Sequence, residues 1–397
     1  MTVLADRMSH VRSASFHFLI PAGAIYDPPE CPGMATVLID MMSRGAGQRD
    51  SRQLSEALDR LGVDRSESVG ISNVHFSGVT LSRNVHRILE IYADILRCPV
   101  LPHDELEAAQ SLAIQNIQGL DDDPQSKIMT ELTKRHYPEP LGRDKRGTIE
   151  GIEKITAEAL RDHYQKFVQP QDVILSIAGD FDWQQIRDHI GKLFEDWPGQ
   201  PRLPVTLADE KLGSGHIPKD IEQTQMALAY PSVTLDDPDY YNARGAVGIL
   251  SQDMSSRLFT NIREKYGLCY AIHAGYEAFK DRASIVAYSA ARPELAQQTL
   301  DLLLQELRQL KNGIDREELD RVKVGLKASL IMRQESTGAR SSSLTSDWYY
   351  LGRIRTLQEI QSRIDAISID GIIEHVTRHP VENVTMVSLG PTPLIMS

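Results

Sequence analysis

The sequence predicts two mixed α/β domains of one topology, joined by a linker. The chain has 397 residues, which is more than a single hydrophobic core usually supports. The stretch PGQPRLPVTLADEKLGSG at 198–215 is rich in Gly and Pro and has no hydrophobic periodicity, which is typical of a linker. After it, the order of strand and helix patterns begins again. We therefore predict domains at 1–200 and 216–397 and a linker at 201–215.

The first domain is predicted to begin with a strand at 12–26 and a helix after Gly33. That helix is buried, because apolar residues occupy nearly every one of its faces. An amphipathic helix at 50–63 has three leucines on one face and ends at Gly62. The later patterns are, in order, two strands (SVGISNVHFSGVTL), two helices (NVHRILEIYADILRCPVL and LPHDELEAAQSLAIQNIQ), a third helix, an apolar strand (DVILSIAG) and a last helix.

The second domain is predicted to repeat this order. Its patterns are a strand (QTQMALAYP), an apolar helix (YNARGAVGILSQ), a helix followed at once by a strand (MSSRLFTNIREKYGLCY, 254–270), a further strand (RASIVAYSA), two helices and a final strand (NVTMVSLG). Within 254–270, Gly267 is the residue at which the helix ends, because Gly tolerates the left-handed turn that closes many helices. The two halves match in the order of their elements more than in residue identity, which indicates an internal duplication.

Composition excludes several classes of function. The formal net charge of −12 argues against binding to nucleic-acid phosphates, which requires a concentrated basic surface. The three cysteines are scattered and form no C-x-x-C pair, which fits a reducing compartment and excludes a Cys-rich zinc site. No secretory signal is visible, and no apolar stretch is long enough to span a membrane. The sequence therefore predicts a cytoplasmic protein.

Three segments resemble the insulinase/pitrilysin class of zinc peptidases, of the type that includes mitochondrial processing peptidase. They are SSRLFTNIREKYGLCY, HYPEPLGRDKRGTIEGIEKIT and YQKFVQPQDVILSIAGDFD, and the resemblance covers nearly the whole chain. It implies an α+β fold with two homologous domains, each a largely antiparallel sheet with helices packed on one face. It also implies that two such chains close around a chamber that admits flexible peptides.

The metal motif of this family, H-x-x-E-H, is absent from the corresponding helix. Aligned by its flanking glycines, the helix has Thr36 in place of the first His, Ile39 in place of the Glu base and Asp40 in place of the second His. The later Glu ligand corresponds to the neighbourhood of Asn116. Since zinc peptidases require imidazole and carboxylate ligands and a Glu base, we expect no metal and no catalytic residue in this chain. Zinc is expected in a partner subunit.

The resemblance leaves Arg263 and Tyr270 as the remaining part of an active site. In the family, an Arg and a Tyr seven residues apart in the second half contact the substrate carbonyl at a zinc site. Both side chains are hydrogen-bond donors near neutral pH and suit an oxygen that gains negative charge. The alternative is that Arg263 complements a helix C-terminus while Tyr270 packs in a core.

A second possible metal site is the pair His375 and His379, which has i, i+4 spacing on a predicted helix. Because no Glu lies between the two histidines, a solvated helix face is the preferred interpretation.

Three functions follow from these observations. The preferred one is a non-catalytic subunit of a heterodimeric insulinase-type metallopeptidase, whose homologous partner carries H-x-x-E-H and whose chamber this chain closes. The alternative is a structural or peptide-binding module of the same fold without a peptidase role, like the core subunits of cytochrome bc complexes. The third is an active metallopeptidase, which the motif loss opposes. An isolated chain is also expected to be able to form a homodimer.

Overall fold

A computed structural model describes residues 1–201, 204–209 and 213–396. The chain divides into two compact units. Unit 1 consists of Met1–Gly119, Glu139–Ala208 and Arg333–Tyr349, and unit 2 consists of Leu120–Pro138, Asp209–Met332 and Tyr350–Ser397. The division of the sequence at 201–215 remains a prediction, and residues 202, 203 and 210–212 of that linker lie outside the described part.

Twelve strands are described, and each is numbered in chain order. They are β1 (Thr2–Arg7), β2 (Ser13–Ile20), β3 (Gly45–Ala46), β4 (Arg49–Asp50), β5 (Asp64–Val69), β6 (Val74–Leu81), β7 (Ile174–Gly179), β8 (Gly215–Pro218), β9 (Thr224–Ser232), β10 (Cys269–Ala278), β11 (Ala283–Ala291) and β12 (Thr385–Gly390).

The α-helices within the described residues are α1 (Met34–Met42), α2 (Ser51–Arg60), α3 (Val85–Arg97), α4 (Leu106–Gln118), α5 (Pro124–His136), α6 (Ile149–Glu153), α7 (Ala157–Phe167), α8 (Trp183–Phe194), α9 (Tyr240–Ser251), α10 (Pro293–Gln309), α11 (Arg316–Gln334), α12 (Thr337–Leu351), α13 (Leu357–Ala366) and α14 (Ile369–Arg378). A π-helix spans Leu258–Lys265. None of these helices is long and apolar enough to cross a membrane.

Each unit contains one five-stranded sheet, and the two sheets have the same topology. The order is β1-β7-β2-β6-β5 in unit 1 and β8-β12-β9-β11-β10 in unit 2. In both sheets the first strand pairs in parallel and every other pairing is antiparallel. The predicted α+β fold of two homologous, largely antiparallel halves is therefore confirmed.

The alternation of β2 determines which face of its sheet is buried in the main core. Phe16, Phe18 and Ile20 are fully buried against the helices of unit 1, where Tyr92 of α3 stacks among them. Successive strand residues point to opposite faces, so the residues between them lie on the other face. The sheet of unit 2 separates two apolar clusters in the same way.

One helix from the opposite half of the sequence covers the second face of each sheet, a feature that the sequence did not indicate. Helix α12 hydrogen-bonds to strands of unit 1, for example from Ser176 Oγ to the carbonyl oxygen of Ser341 at 2.7 Å. Helix α5 packs Ile128 and Leu132 against the sheet of unit 2, and its His136 bonds Ser284 Oγ at 2.8 Å. The predicted helices on one face are thus accompanied by one helix on the other.

Candidate functional site

The four positions that the sequence predicts to correspond to the metal motif lie together in unit 1. Thr36, Ile39 and Asp40 of α1 and Asn116 of α4 all line one cavity of about 460 Å³, which we call the motif cavity. Helix packing explains this, because α1 and α4 are neighbours in the fold and residues three and four apart share a helical face. The structure therefore brings these four positions to one place.

The start of α1 is held by a buried carboxylate. The Asp27 side chain accepts hydrogen bonds from the backbone N–H groups of Gly33 at 2.7 Å and Ala35 at 2.9 Å. Gly33 has a φ of 102°, a left-handed conformation that strains residues with a Cβ. Burial raises the pKa of Asp27 to about 6, although the same backbone bonds act in the opposite direction. This arrangement sets the orientation in which α1 presents its residues to the cavity.

The residues at this cavity do not fit a zinc ion. Thr36 Oγ1 donates to the carbonyl oxygen of Lys145 at 2.6 Å, and Ile39 offers only carbon atoms. Asp40 is paired with Arg44 at 2.6 Å. The described lining contains no imidazole and no thiol, so the donors that zinc prefers in proteins are missing.

The remaining residues that line the cavity carry more positive than negative charge, a feature that no sequence pattern predicts. Arg65, Lys145 and Arg146 face the cavity together with Glu67. Glu67 accepts hydrogen bonds from Arg65 at 2.8 Å and from the hydroxyl of Tyr92 at 3.1 Å. The GRDKRG run supplies Lys145 and Arg146, and in the sequence this run indicates the family resemblance and no site.

Arg263 and Tyr270 lie side by side on the surface of unit 2. The guanidinium carbon of Arg263 lies 5.6 Å from the ring centroid of Tyr270 and 4.7 Å from that of Phe259. Tyr270 is 72% exposed, so it is not the core residue that the structural alternative assumed. Within the described residues, Arg263 forms no ion pair. Both donors thus remain available to a ligand.

The corner that carries this pair is firmly anchored. The residue before the π-helix, Arg257, forms a bidentate ion pair with Glu318 of α11, with both N–O distances at 2.7 Å. Asn261 donates to Glu306 of α10 at 2.9 Å. Gly267 closes the corner with a φ of 63°, as predicted. Because π-helical turns are rare and frequently occur at functional sites, this winding favours a role for the corner.

His375 and His379 do not lie on a solvated helix face, which corrects the sequence interpretation. His375 is 5% exposed, and its Nδ1 lies 2.7 Å from Oδ2 of Asp239. His379 follows the end of α14, and the two rings have centroids 5.0 Å apart. No pattern in the sequence points to Asp239, which precedes α9 and is remote along the chain from both histidines.

Comparison with known proteins identifies the family. Residues 2–148 match the model described as insulinase (peptidase family M16), and residues 154–326 match the model described as peptidase M16 inactive domain. An uncharacterized zinc protease of Rickettsia bellii (strain RML369-C) is 26% identical over 99% of this chain and 96% of its own length.

Two solved structures share the fold. A structure of a peptidase M16 inactive domain from Pseudomonas fluorescens superposes with a TM-score of 0.91 at 23% identity, over 100% of this chain and 97% of that one. A chain of Complex III2 from Candida albicans superposes with a TM-score of 0.84 at 17% identity, over 100% of this chain and 95% of that one. The two family models together match most of the chain, and they show that it belongs to the insulinase family, peptidase family M16.

Proposed function

We propose that the chain is the non-catalytic subunit of a two-chain insulinase-type zinc peptidase. The observation that carries this proposal is the cavity of unit 1, where the predicted motif positions converge and the described lining residues include no imidazole and no thiol to bind zinc. A homologous partner with an intact H-x-x-E-H helix would hold the metal and the Glu base. This chain would close the peptide chamber.

The Arg263–Tyr270 corner is the part of this chain that would reach the partner's zinc site. A guanidinium and a phenol can both donate to a carbonyl oxygen that becomes negative as water attacks. Their exposure and their mutual contact at 5.6 Å support this role. The contact also limits the conformations of both side chains before a peptide arrives, which lowers the entropic cost of binding.

A free strand edge beside the cavity of unit 1 supports peptide binding. Strand β5 is the last strand of its sheet and pairs only with β6 among the described strands. Its Arg65, Glu67, Ser68 and Val69 line the cavity. An unpaired edge offers backbone donors and acceptors to an extended peptide. This observation also favours the second candidate, a peptide-binding module of the same fold without a peptidase role.

We place the protein in the cytoplasm, which the three free thiols support. Without its partner, the faces that close the chamber are expected to allow two copies of this chain to associate.

The test requires this chain and a homologous H-x-x-E-H chain purified together, with an unstructured, internally quenched peptide as substrate. The isolated chain should cleave nothing. In the complex, Arg263→Ala or Tyr270→Phe should lower kcat on the order of 100-fold, the typical effect of losing one donor to an oxyanion. Tyr266→Phe is the matched control, because Tyr266 is also exposed on this corner and has no proposed role.

Size-exclusion chromatography must show that the variants still form the complex, so that lost activity is not lost assembly. Unchanged activity in both variants would reject the active-site role. Peptide binding by the isolated chain, measured by fluorescence polarisation, together with unchanged activity would establish the second candidate.

A further inference from the structure

Three potential metal ligands from distant parts of the chain meet in unit 2. Asp239 lies just before α9, His375 lies on α14, and His379 follows the end of α14. One carboxylate oxygen of Asp239 and one nitrogen of each imidazole lie within 4.8 Å of one another. Among the described residues, this is the only group of three or more His, Cys, Asp or Glu side chains with such spacing.

The hydrogen bond between Asp239 and His375 prepares one imidazole for ligation. Asp239 Oδ2 lies 2.7 Å from Nδ1 of His375, so the carboxylate holds the ring in one tautomer and leaves Nε2 as the free nitrogen. Metal-binding histidines commonly have such a carboxylate partner, which orients the ring and raises its basicity.

Space for an ion and its water ligands exists beside the two rings. His375 and His379 line a cavity of about 320 Å³, whose walls are mostly apolar and include Val247 and Leu250. Glu382 also lines it and offers a further oxygen donor. An apolar surround with few polar groups is typical of small-ligand sites, and it leaves coordination positions of the ion open.

A purely structural explanation accounts for only part of this arrangement. The Asp239–His375 bond joins the start of α9 to α14, and Asn242 Nδ2 bonds the second oxygen of Asp239 at 2.8 Å. Such a clamp requires one imidazole and gives no role to His379. Arg378 is the competing cation, at 3.6 Å from Asp239 Oδ2. It is half exposed and also bonds Glu374 at 3.1 Å, so it can remain on that partner when an ion binds.

We propose that His375 and His379 bind one divalent transition-metal ion, with Asp239 as the carboxylate that orients His375. Two imidazoles select the metals that prefer nitrogen donors, of which Zn²⁺ is the probe to use. The ion would join the beginning of α9 to the end of α14 and stabilise unit 2. This site is separate from the motif positions of unit 1, and it does not depend on the proposed subunit role.

The experiment titrates Zn²⁺ alone into the untagged, metal-free full chain and measures binding by calorimetry. Wild-type protein should bind one equivalent, and Co²⁺ in its place should give a visible absorption band. His379→Ala should weaken binding at least 100-fold. This variant is expected to fold, because His379 is partly exposed and the Asp239–His375 bond remains. Asp239→Asn should weaken binding 10- to 100-fold, the usual effect of losing an orienting carboxylate.

Two further variants make the test specific. His86→Ala removes one member of another ring pair, His86 and His189, whose centroids lie 4.9 Å apart in unit 1, and should leave binding unchanged. Asp40→Ala should also leave it unchanged, which separates this site from the motif cavity. Absence of binding to wild-type protein, or equal binding to His379→Ala, would overturn the proposal. Loss of binding in Asp40→Ala alone would overturn it as well and would contradict the proposed function.

Discussion

The two units share one scaffold and differ most at a single corner. In unit 1, helix α2 leads through Gly62 into the edge strand β5. In unit 2, the π-helix leads through Gly267 into the edge strand β10. Both glycines are left-handed, with φ values of 59° and 63°. The two units thus share the topology and the glycine that ends the helix. They differ in the type of helix before that glycine, which is an α-helix in unit 1 and a π-helix in unit 2.

This difference in winding decides which side chain is exposed. Four residues before the glycine, unit 1 has Leu58, which is 1% exposed. Four residues before Gly267 in unit 2 lies Arg263, which is exposed. The buried residue of this helix is Ile262, one position earlier in the chain. The wider turn of the π-helix accommodates one more residue between the buried side chain and the glycine. The backbone N–H of Leu268 donates a hydrogen bond to the carbonyl oxygen of Ile262 at 3.2 Å. A shift of one residue therefore converts a core position into a surface donor.

The cavities at equivalent places have also diverged. Unit 1 has the motif cavity between α1 and α4, and unit 2 has a cavity of about 570 Å³ that involves the C-terminal end of α9 and α11. The second is lined by Gln252, Asp253, Glu317, Asp320, Arg321, Val324 and Gly325. The duplicated scaffold thus keeps its strand order, whereas the chemistry of its concave surfaces is free to change.

The largest expected effect tests whether Ile262 fills the core position in unit 2 that Leu58 fills in unit 1. Ile262→Ala and Leu58→Ala should each lower the free energy of unfolding by about 3 to 4 kcal/mol, because each removes a fully buried side chain and leaves a cavity. Urea unfolding followed by circular dichroism measures both. All three tryptophans belong to unit 1, so fluorescence excited at 295 nm reports on Leu58→Ala directly. A loss below 1 kcal/mol for Ile262→Ala would show that the π-helix is loosely packed.

The second prediction is that acid weakens unit 1. Burial lowers the pKa of both His17 and His163 to about 4, below the value of 6.5 in the unfolded chain. The unfolded state therefore binds protons first, and stability falls as the pH drops from 6.5 to 4. Each shift corresponds to about 3 kcal/mol. Asp27 has the opposite effect, because its raised pKa of about 6 makes stability rise as the pH falls from 6 to 3.8. The combined loss of stability from the two histidines is larger than this gain.

Urea midpoints by tryptophan fluorescence at several pH values check the acid prediction. His163→Phe keeps a ring against Phe167, whose centroid lies 4.6 Å from that of His163, and should flatten the decline between pH 6.5 and 4. Asp27→Asn should make the decline steeper, because the opposing group is gone. Equal slopes in all three proteins would contradict the prediction.

The third prediction concerns the anchor of the π-helix. Glu318→Ala should lower the free energy of unfolding by about 2 kcal/mol, because it leaves a mostly buried Arg257 without its carboxylate. Thermal and urea unfolding measure the loss. Its exposed neighbour provides the control, since Glu317→Ala should change stability by less than about 0.5 kcal/mol.

The fourth prediction concerns the equivalent helix of unit 1, which is held by a cap. Asp50 accepts from the backbone N–H of Gln53 at 2.8 Å, and the Gln53 side chain accepts from the backbone N–H of Asp50 at 3.1 Å. Asp50→Ala should therefore cost about 1 kcal/mol, about half the effect of Glu318→Ala. Urea unfolding by tryptophan fluorescence distinguishes the two. If Asp50→Ala destabilised the protein more than Glu318→Ala, the cap of α2 would be a stronger anchor than the Arg257–Glu318 ion pair, and the prediction would be wrong.

The smallest effect is expected at the Arg263–Tyr270 pair itself. Arg263→Ala and Tyr270→Phe should each change the free energy of unfolding by no more than about 1 kcal/mol, because an exposed cation–π contact contributes about 0.5 to 1 kcal/mol. Differential scanning calorimetry measures the change. A loss above 2 kcal/mol in either variant would assign the pair a structural role in place of the proposed functional one.

Much of the fold could be predicted because hydrophobic patterns are local. Alternation indicated β2 and β6, and the run DVILSIAG indicated β7. Helices α5 and α12 gave no such signal. The buried face of α12 consists of Thr337, Ser341, Thr345 and Asp347 together with a single Leu, so its packing depends on hydroxyl groups that resemble a solvated surface in the sequence. The helix is recognisable only when Ser15 and Ser176 of the sheet are placed against it.

The candidate sites divide in the same way. From the sequence we could predict the duplicated α+β scaffold and the correspondence of Thr36, Ile39 and Asp40 to the metal motif. We could also predict that Arg263 and Tyr270 form a pair, because they lie seven residues apart across one helix end. The contact of Asp239 with His375, 136 positions away, is visible only in the folded chain. Short-range spacing follows from helix and strand geometry, whereas contacts between remote residues depend on how whole elements pack, and no local pattern encodes that.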